Sequence, residues 1–319
     1  MLTQEQKLFL RFSCKAIGLA LVAFAVVALL ALASRNSDSY ARSLAKKESL
    51  LGATAAPRLI VMGGSGSAIG FDSKLFKEKT GVNVVNTGVF AGFGLRFIER
   101  VIVPHVGKGD IVLILPEYEL LHQPPGGDGH ILLETVLENP SHVVDILNPH
   151  TVVAMTRALP GWFRGRLESI AHKISGKQSS SVYSLKNVNA FGDIDSPLLD
   201  ESIISPEDMA KATESFIRPQ ADSGSLETLV RMTASMKEKG VKVFISWAPL
   251  LESAPTSTMQ AAQSREAELR KAFPSSTFVG SQKDFMYPAG LFYDAPTHLN
   301  DAGRTQRTQK IIKLMPIRP

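Results

Sequence analysis

An α/β domain on a mainly parallel sheet, layered as α/β/α, is the fold class this sequence predicts. Three observations carry it: short apolar runs that end at glycine or proline, helical periodicity between them, and a 319-residue chain that is 44% hydrophobic and 20% charged. Continuous apolar runs suit strands buried on both faces, and their alternation with helices suits a sheet covered by helices. The composition supplies ample core material and excludes disordered, collagen-like and low-complexity chains.

Four runs read as strands: Arg58–Met62 (RLIVM), Val82–Thr87 (VNVVNT), Asp110–Leu115 (DIVLIL, stopped by Pro116) and Val241–Trp247 (VKVFISW), with a shorter one at Thr277–Val279. Between the second and third, Gly92–Val103 places Leu95, Ile98 and Ile102 on one helical face before Pro104 ends it. Leu226, Leu229, Val230, Thr233 and Met236 keep helical spacing up to Gly240, a C-terminal stop. Helices over about 259–273 and 301–314 complete the chain. The interval of about 120–220 breaks the rhythm with PPGGDGH, mixed helical stretches and the Ser-rich SGKQSSS, and reads as an insertion on the catalytic face. Within it, Trp162 and Phe163 either pack a cap onto the main domain or form a substrate platform or membrane contact.

The N-terminal region divides in three. Residues 1–15 form a short tail, and Ala16–Ala33 is an 18-residue run with no charge. At about 1.5 Å per residue this run is just long enough to cross the hydrocarbon core as a transmembrane anchor. A cleaved signal peptide is the alternative, since Ala31, Leu32 and Ala33 make an AxA site before Ser34. Residues 34–56, rich in Ser, Ala and charge, read as a linker with a brief helix through 41–51, so the domain proper is expected at 57–319.

Lys7, Arg11 and Lys15 outweigh Glu5, and Arg35, Arg42, Lys46 and Lys47 outweigh Asp38 and Glu48, so most of the +5 formal charge lies before Pro57. The remainder is nearly neutral, without the concentrated basic face of a nucleic-acid binder. Basic residues flank the apolar run on both sides, so the positive-inside count does not decide its orientation. A single cysteine, Cys14, excludes an intramolecular disulfide and a CxxC metal site. The histidines make no HxxxH or HExxH pair, so the sequence gives no support to metal-assisted hydrolysis.

Two motifs hold the candidate chemistry: MGGSGSAIGFDS at the end of the first strand and YDAPTHLNDAGR before the last helix. Functional groups in open α/β sheets gather where strands end and helices begin. Ser65 on such a turn is a candidate nucleophile, with Ser67 and Ser73 as competitors; His298 is a candidate base and Asp294 its orienting acceptor. A dinucleotide reading fails on spacing, because Ile69 stands where GxGxxG requires its third glycine and no GK[ST] follows.

Together these motifs resemble the SGNH (GDSL-like) hydrolases, especially the membrane-anchored branch associated with bacterial polysaccharide biosynthesis or acylation. The likeness covers Arg58–Glu119 and Phe292–Thr308, and it implies a flavodoxin-like three-layer fold. Gly63, Gly64 and Ser65 match the GDS-type turn, and Asp294 and His298 match the last block. Asn86–Gly94 (NTGVFAGFG) resembles the block whose glycine region donates to the oxyanion; Gly92 is the nearest glycine, while strict spacing from Asn86 lands on Ala91. Three features depart from the pattern: Gly64 replaces the usual Asp, LPEYE (Leu115–Glu119) stands where GxND is expected, and three residues instead of two separate Asp294 from His298. At the LPEYE corner, Glu117 is expected to bind a backbone N–H or the cap, and Tyr118 is the candidate oxyanion donor beside the Ser65 N–H.

The resemblance thus implies a serine esterase or O-acetyltransferase acting on a bacterial surface carbohydrate without a cofactor. It also implies a single-pass inner-membrane location with the catalytic domain periplasmic or extracellular. Its expected partners are an acylated carbohydrate or acyl donor, the membrane and a membrane-bound acyltransferase. The missing GxND block keeps open a second reading, a non-catalytic polysaccharide-binding or assembly factor of the same fold.

Overall fold

The computed structural model describes residues 3–33, 38–175 and 181–316 of the chain. It opens with helix α1 (Gln4–Ala33), followed by a 3-10 turn at Tyr40–Arg42 and helix α2 (Ser43–Ala53). Strand β1 (Arg58–Gly63) runs into the short helix α3 (Ser65–Ile69), then come α4 (Ser73–Thr80) and β2 (Asn83–Asn86). The short helix α5 (Leu95–Phe97) precedes β3 (Ile111–Leu115) and α6 (Tyr118–His122). Four helices fill most of the segment before β4: α7 (Gly129–Glu138), α8 (Val143–Ile146), the long α9 (Pro149–Ile174) and α10 (Pro206–Phe216). Helix α11 (Ser223–Glu238) leads into β4 (Lys242–Ile245), and β5 (Leu250–Leu251), α12 (Thr256–Ala272), β6 (Met286–Tyr287) and α13 (Asp301–Leu314) follow.

The protein is mixed α/β. Its main sheet has four strands in the order β2-β1-β3-β4, all parallel, and β5 and β6 form a separate parallel pair. Strand β1 lies at the centre, with Leu59 opposite Val84 on one side and Ile111 on the other. All six β1 residues are buried, which explains an apolar run without alternation. Because β1 is central, its C-terminal end delivers Ser65 to the middle of the sheet edge, where open α/β sheets keep their functional groups.

Three expectations differ from the structure. The segment 92–103 is not one regular helix: it divides into a 3-10 turn at Ala91–Phe93, α5 and a π-type turn at Ile98–Ile102. Its apolar residues are buried nonetheless, so packing rather than helical period selects them. At 277–279 there is a 3-10 turn and a single parallel bridge between Ile245 and Phe278 instead of a strand.

The third difference concerns the expected linker. Helix α2 buries Leu44 and Leu51 in the main core, and its fully buried Lys47 donates to the carbonyls of Gly88 and, at 2.7 Å, Gly192. Arg58 donates to the carbonyls of Leu51 and Thr54 while pairing with Asp110 at 3.2 Å. A charged amphipathic segment reads as linker by composition, yet here its polar groups satisfy buried carbonyls that would otherwise lose water without replacement.

Helix α1 is exposed along most of its length, and Gln4–Leu30 is long and apolar enough to cross a membrane. Near its C-terminal end Val27 and Leu30 are half-buried where α1 packs on α9.

Candidate active site

The turn after β1 presents Ser65. Gly64 holds extended backbone (φ −91°, ψ −151°) and Ser65 opens α3. A Cβ on Gly64 would run into the Glu117 carboxylate and the Ala91 backbone, so this position has room only for hydrogen. The usual Asp of the resembled motif therefore has no space here. Glu117, arriving from the end of β3, occupies that ground, and its Oε1 accepts the Gly66 N–H at 2.5 Å.

His298 comes from the loop before α13, fixed at both ends. Phe292 and Leu299 form an antiparallel bridge, the Tyr293 N–H donates to the His298 carbonyl at 2.8 Å, and Asn300 caps α13 by accepting the Gly303 N–H. This places His298 Nε2 2.8 Å from Ser65 Oγ, and Nδ1 2.6 Å from Asp294 Oδ1. Three residues separate Asp294 from His298, and the turn closed by the His298 N–H on the Ala295 carbonyl brings their side chains together despite the extra residue. A carboxylate at Nδ1 requires N–H there, which leaves Nε2 as an acceptor facing the Ser65 hydroxyl. Ser65 is partly exposed, whereas His298 is 8% exposed.

The competing serines have other duties. Ser67 is fully buried and donates to the Gly64 carbonyl at 2.7 Å. Ser73 Oγ donates to Asp193 at 2.6 Å and its N–H to the same carboxylate at 3.0 Å, while Asp72 caps α4 by accepting the Leu75 N–H. Asn86 joins this cluster, donating to Asp193 at 2.8 Å and to the Ser67 carbonyl at 2.9 Å.

Of the expected oxyanion donors, two lie elsewhere. Tyr118 is buried, its hydroxyl donates to Gln282 Oε1 at 2.9 Å, and its ring packs with Ile217, Ala248 and Leu250. The cause is local: Tyr118 starts α6, so it diverges from its neighbour Glu117, which faces the Ser65 turn. Gly92 faces α7, where a Cβ would meet Ile131 and Asp128, and its carbonyl accepts the Asp128 N–H at 2.6 Å. Ala91 is the residue whose backbone N lies against Gly64. The Ser65 and Ala91 amides each stand in the first turn of a helix, where N–H groups have no intrahelical acceptor.

Three groups at the site escaped the sequence reading. Tyr183 OH lies 3.1 Å from His298 Nδ1 and comes from the 120–220 interval, with no motif to mark it. Arg307, fully buried on α13, donates to the carbonyls of Gly66 at 3.2 Å and Trp247 at 2.9 Å, tying the serine turn to the end of β4. Its place nearly two turns inside the last helix gives no signal beyond a basic residue on an amphipathic helix. Lys47 supports the loop after β2 by donating to the Gly88 carbonyl.

Burial raises the Glu117 pKa to about 7, opposed by the neighbouring His298 and by the Gly66 N–H. Burial also raises the Tyr183 hydroxyl far above its ordinary value, with Asp294 adding to it, so Tyr183 is a neutral phenol at any physiological pH. Beside Tyr183 lies a cavity of about 390 Å³ bounded by Tyr40, Phe90, His130, Glu134 and Arg166. Trp162, expected either as platform or as cap, is 2% exposed and packs edge-on to Phe163 at the cavity wall. Among the described residues, no group of three or more His, Cys, Asp and Glu side chains is placed to hold a metal ion.

The arrangement provides a hydroxyl, an acceptor nitrogen and an orienting carboxylate in hydrogen-bond reach of one another, with the first-turn amide of Ser65 beside them, a layout suited to nucleophilic acyl transfer. No protein-family model, curated protein or solved structure matches the chain.

Proposed function

We propose that the protein is a serine esterase or O-acetyltransferase of the SGNH type, acting on an acylated bacterial surface carbohydrate. The observation that carries this reading is the continuous chain Ser65 Oγ–His298–Asp294, with contacts of 2.8 and 2.6 Å. In the first half-reaction Ser65 Oγ bonds to the ester carbonyl carbon as its proton passes to His298 Nε2. The carbon–oxygen bond to the leaving alcohol then breaks and that alcohol takes the proton. Water or a sugar hydroxyl, deprotonated by His298, attacks the acyl-serine and restores Ser65. Asp294 stabilises the imidazolium, and the amides of Ser65 and Ala91 hold the oxyanion.

The reading extends to the scaffold: a three-layer α/β/α domain, an insertion over about 120–220 whose Tyr183 reaches the histidine, and a membrane-spanning α1 with the domain on the periplasmic or extracellular side. The apolar length of α1 supports the anchor, and the aromatic and polar cavity beside Tyr183 suits a saccharide.

The deciding experiment combines turnover of a small acetyl ester with labelling by a serine-directed phosphonate, in wild type and Ser65→Ala. Turnover and labelling in wild type, both lost in Ser65→Ala at unchanged melting temperature, is the expected result. A wild type that neither labels nor turns over esters, yet binds polysaccharide through the cavity, would favour the assembly-factor reading instead.

A further inference from the structure

Outside α1, the large hydrophobic side chains left exposed are unevenly placed. Among the described residues there are ten, and six of them, Val144, Leu147, Val152, Val153, Leu167 and Ile174, fall within α8, α9 and the turn between. Single exposed apolar side chains are ordinary on a soluble surface, but a concentration on one element marks contact with something apolar.

The face they occupy is ordered. Val153, Arg157, Pro160, Arg164, Leu167 and Ile174 recur at spacings of three, four or seven and are all exposed, so they form one stripe along α9. Val153, Leu167 and Ile174 are 49%, 57% and 83% exposed. The opposite face is packed: Met155 and Trp162 are buried, and Arg166 stacks over Trp162 at 5.4 Å. Arginines alternating with large apolar groups are the pattern of a helix lying in the plane of a bilayer, with guanidinium groups among anionic headgroups and side chains in the acyl boundary. Position supports the same occupant, because the C-terminal end of α1 packs on α9. An anchor that leaves the membrane there brings α9 to its surface.

We propose that the exposed stripe of α9 docks on the anionic lipid surface next to the α1 anchor, a second membrane contact made by the globular domain itself. The inference rests on the reading of α1 as a spanning helix. It also explains why Trp162 and Phe163 face inward: they hold the helix to the domain while Val153, Leu167 and Ile174 face the lipid. The cavity beside Tyr183, walled by Trp162 and Arg166, then lies at headgroup level.

The full-length chain in nanodiscs of phosphatidylcholine with one third phosphatidylglycerol tests this. Cys14 is the sole cysteine, so a Cys14→Ser background accepts single labelling sites. An environment-sensitive fluorophore is placed by Leu167→Cys, by Leu21→Cys in α1, and by Ile203→Cys, an exposed apolar position of the domain at 68%. Bromine- or spin-labelled lipids should quench positions 21 and 167 at least threefold more than 203. Adding Arg157→Glu and Arg164→Glu should bring position 167 down to the level of 203 and leave 21 unchanged. Quenching at 21 but not 167 overturns the docking while preserving the anchor. Absence of quenching at 21 removes the anchor. A blue-shifted, unquenched probe at 167 overturns the proposal in favour of a protein cover, such as a second copy.

Discussion

The Glu117 carboxylate accepts the Gly66 N–H at 2.5 Å, so a buried acid from the end of β3 holds the residue that follows Ser65. Because burial raises its pKa to about 7, the folded protein binds this proton more tightly than the unfolded chain does. Between the ordinary carboxylate range and about pH 7 the native state therefore carries the extra proton, and this group's contribution to stability falls as pH rises through that window. The penalty for the charged form at pH 8 is on the order of 3 kcal/mol. Glu117→Gln keeps an oxygen for the Gly66 N–H and cannot ionise. Its melting temperature should match wild type near pH 5 and exceed it near pH 8; equal differences at both values would mean that Glu117 does not titrate there.

Asp294 and Tyr183 both approach His298 Nδ1, but only one of them needs the single proton on that nitrogen. With the proton on the carboxylate side, Tyr183 is a steric neighbour and a weak second acceptor. Asp294→Asn should lower turnover of an acetyl ester by about 10⁴-fold, as loss of the orienting carboxylate does in serine proteases. Tyr183→Phe should cost less than about tenfold, the scale of one weak hydrogen bond. A reversed order in these two kcat values would make Tyr183 the orienting group.

Ser67 and Ser73 support the turn by their hydrogen bonds to Gly64 and Asp193. Ser73→Ala leaves one buried carboxylate short of a donor and should destabilise by about 1–3 kcal/mol. Denaturant unfolding measures this. Phosphonate labelling should persist in Ser67→Ala and Ser73→Ala; loss of labelling in either, with the fold intact, would transfer the nucleophile to that residue.

Helix α2 belongs to the folded unit through Leu44, Lys47 and Leu51. A chain starting at Asp38 should be soluble and melt in one cooperative step, whereas one starting at Pro57 should aggregate or melt well below it. The second truncation exposes core and strips the partners of Gly88, Gly192 and Arg58. Equal melting of the two would return residues 38–56 to the status of a linker.

Local chemistry fixed a definite part of this protein in advance. The RLIVM, VNVVNT, DIVLIL and VKVFISW runs each lie over a strand, because a strand buried on both faces must be continuously apolar. The final helix lies at Asp301–Leu314, where Asn300 supplies its cap. Ser65, Asp294 and His298 are legible as candidates because a strand-end serine and a short Asp–His loop carry their signal in adjacent residues.

Tertiary structure alone decided what depends on surfaces distant in sequence. Glu117 fills the space that Gly64 vacates, Ala91 rather than Gly92 packs against Gly64, and Tyr118 turns away to Gln282. Tyr183 reaches His298 across 115 positions, and the supposed linker satisfies buried carbonyls 41 and 145 positions away. A linear pattern encodes period, polarity and local turn chemistry; it does not encode which buried donor will meet which acceptor. That pairing is set when the sheet and its helices close around a common core, where every polar group removed from water must find a partner.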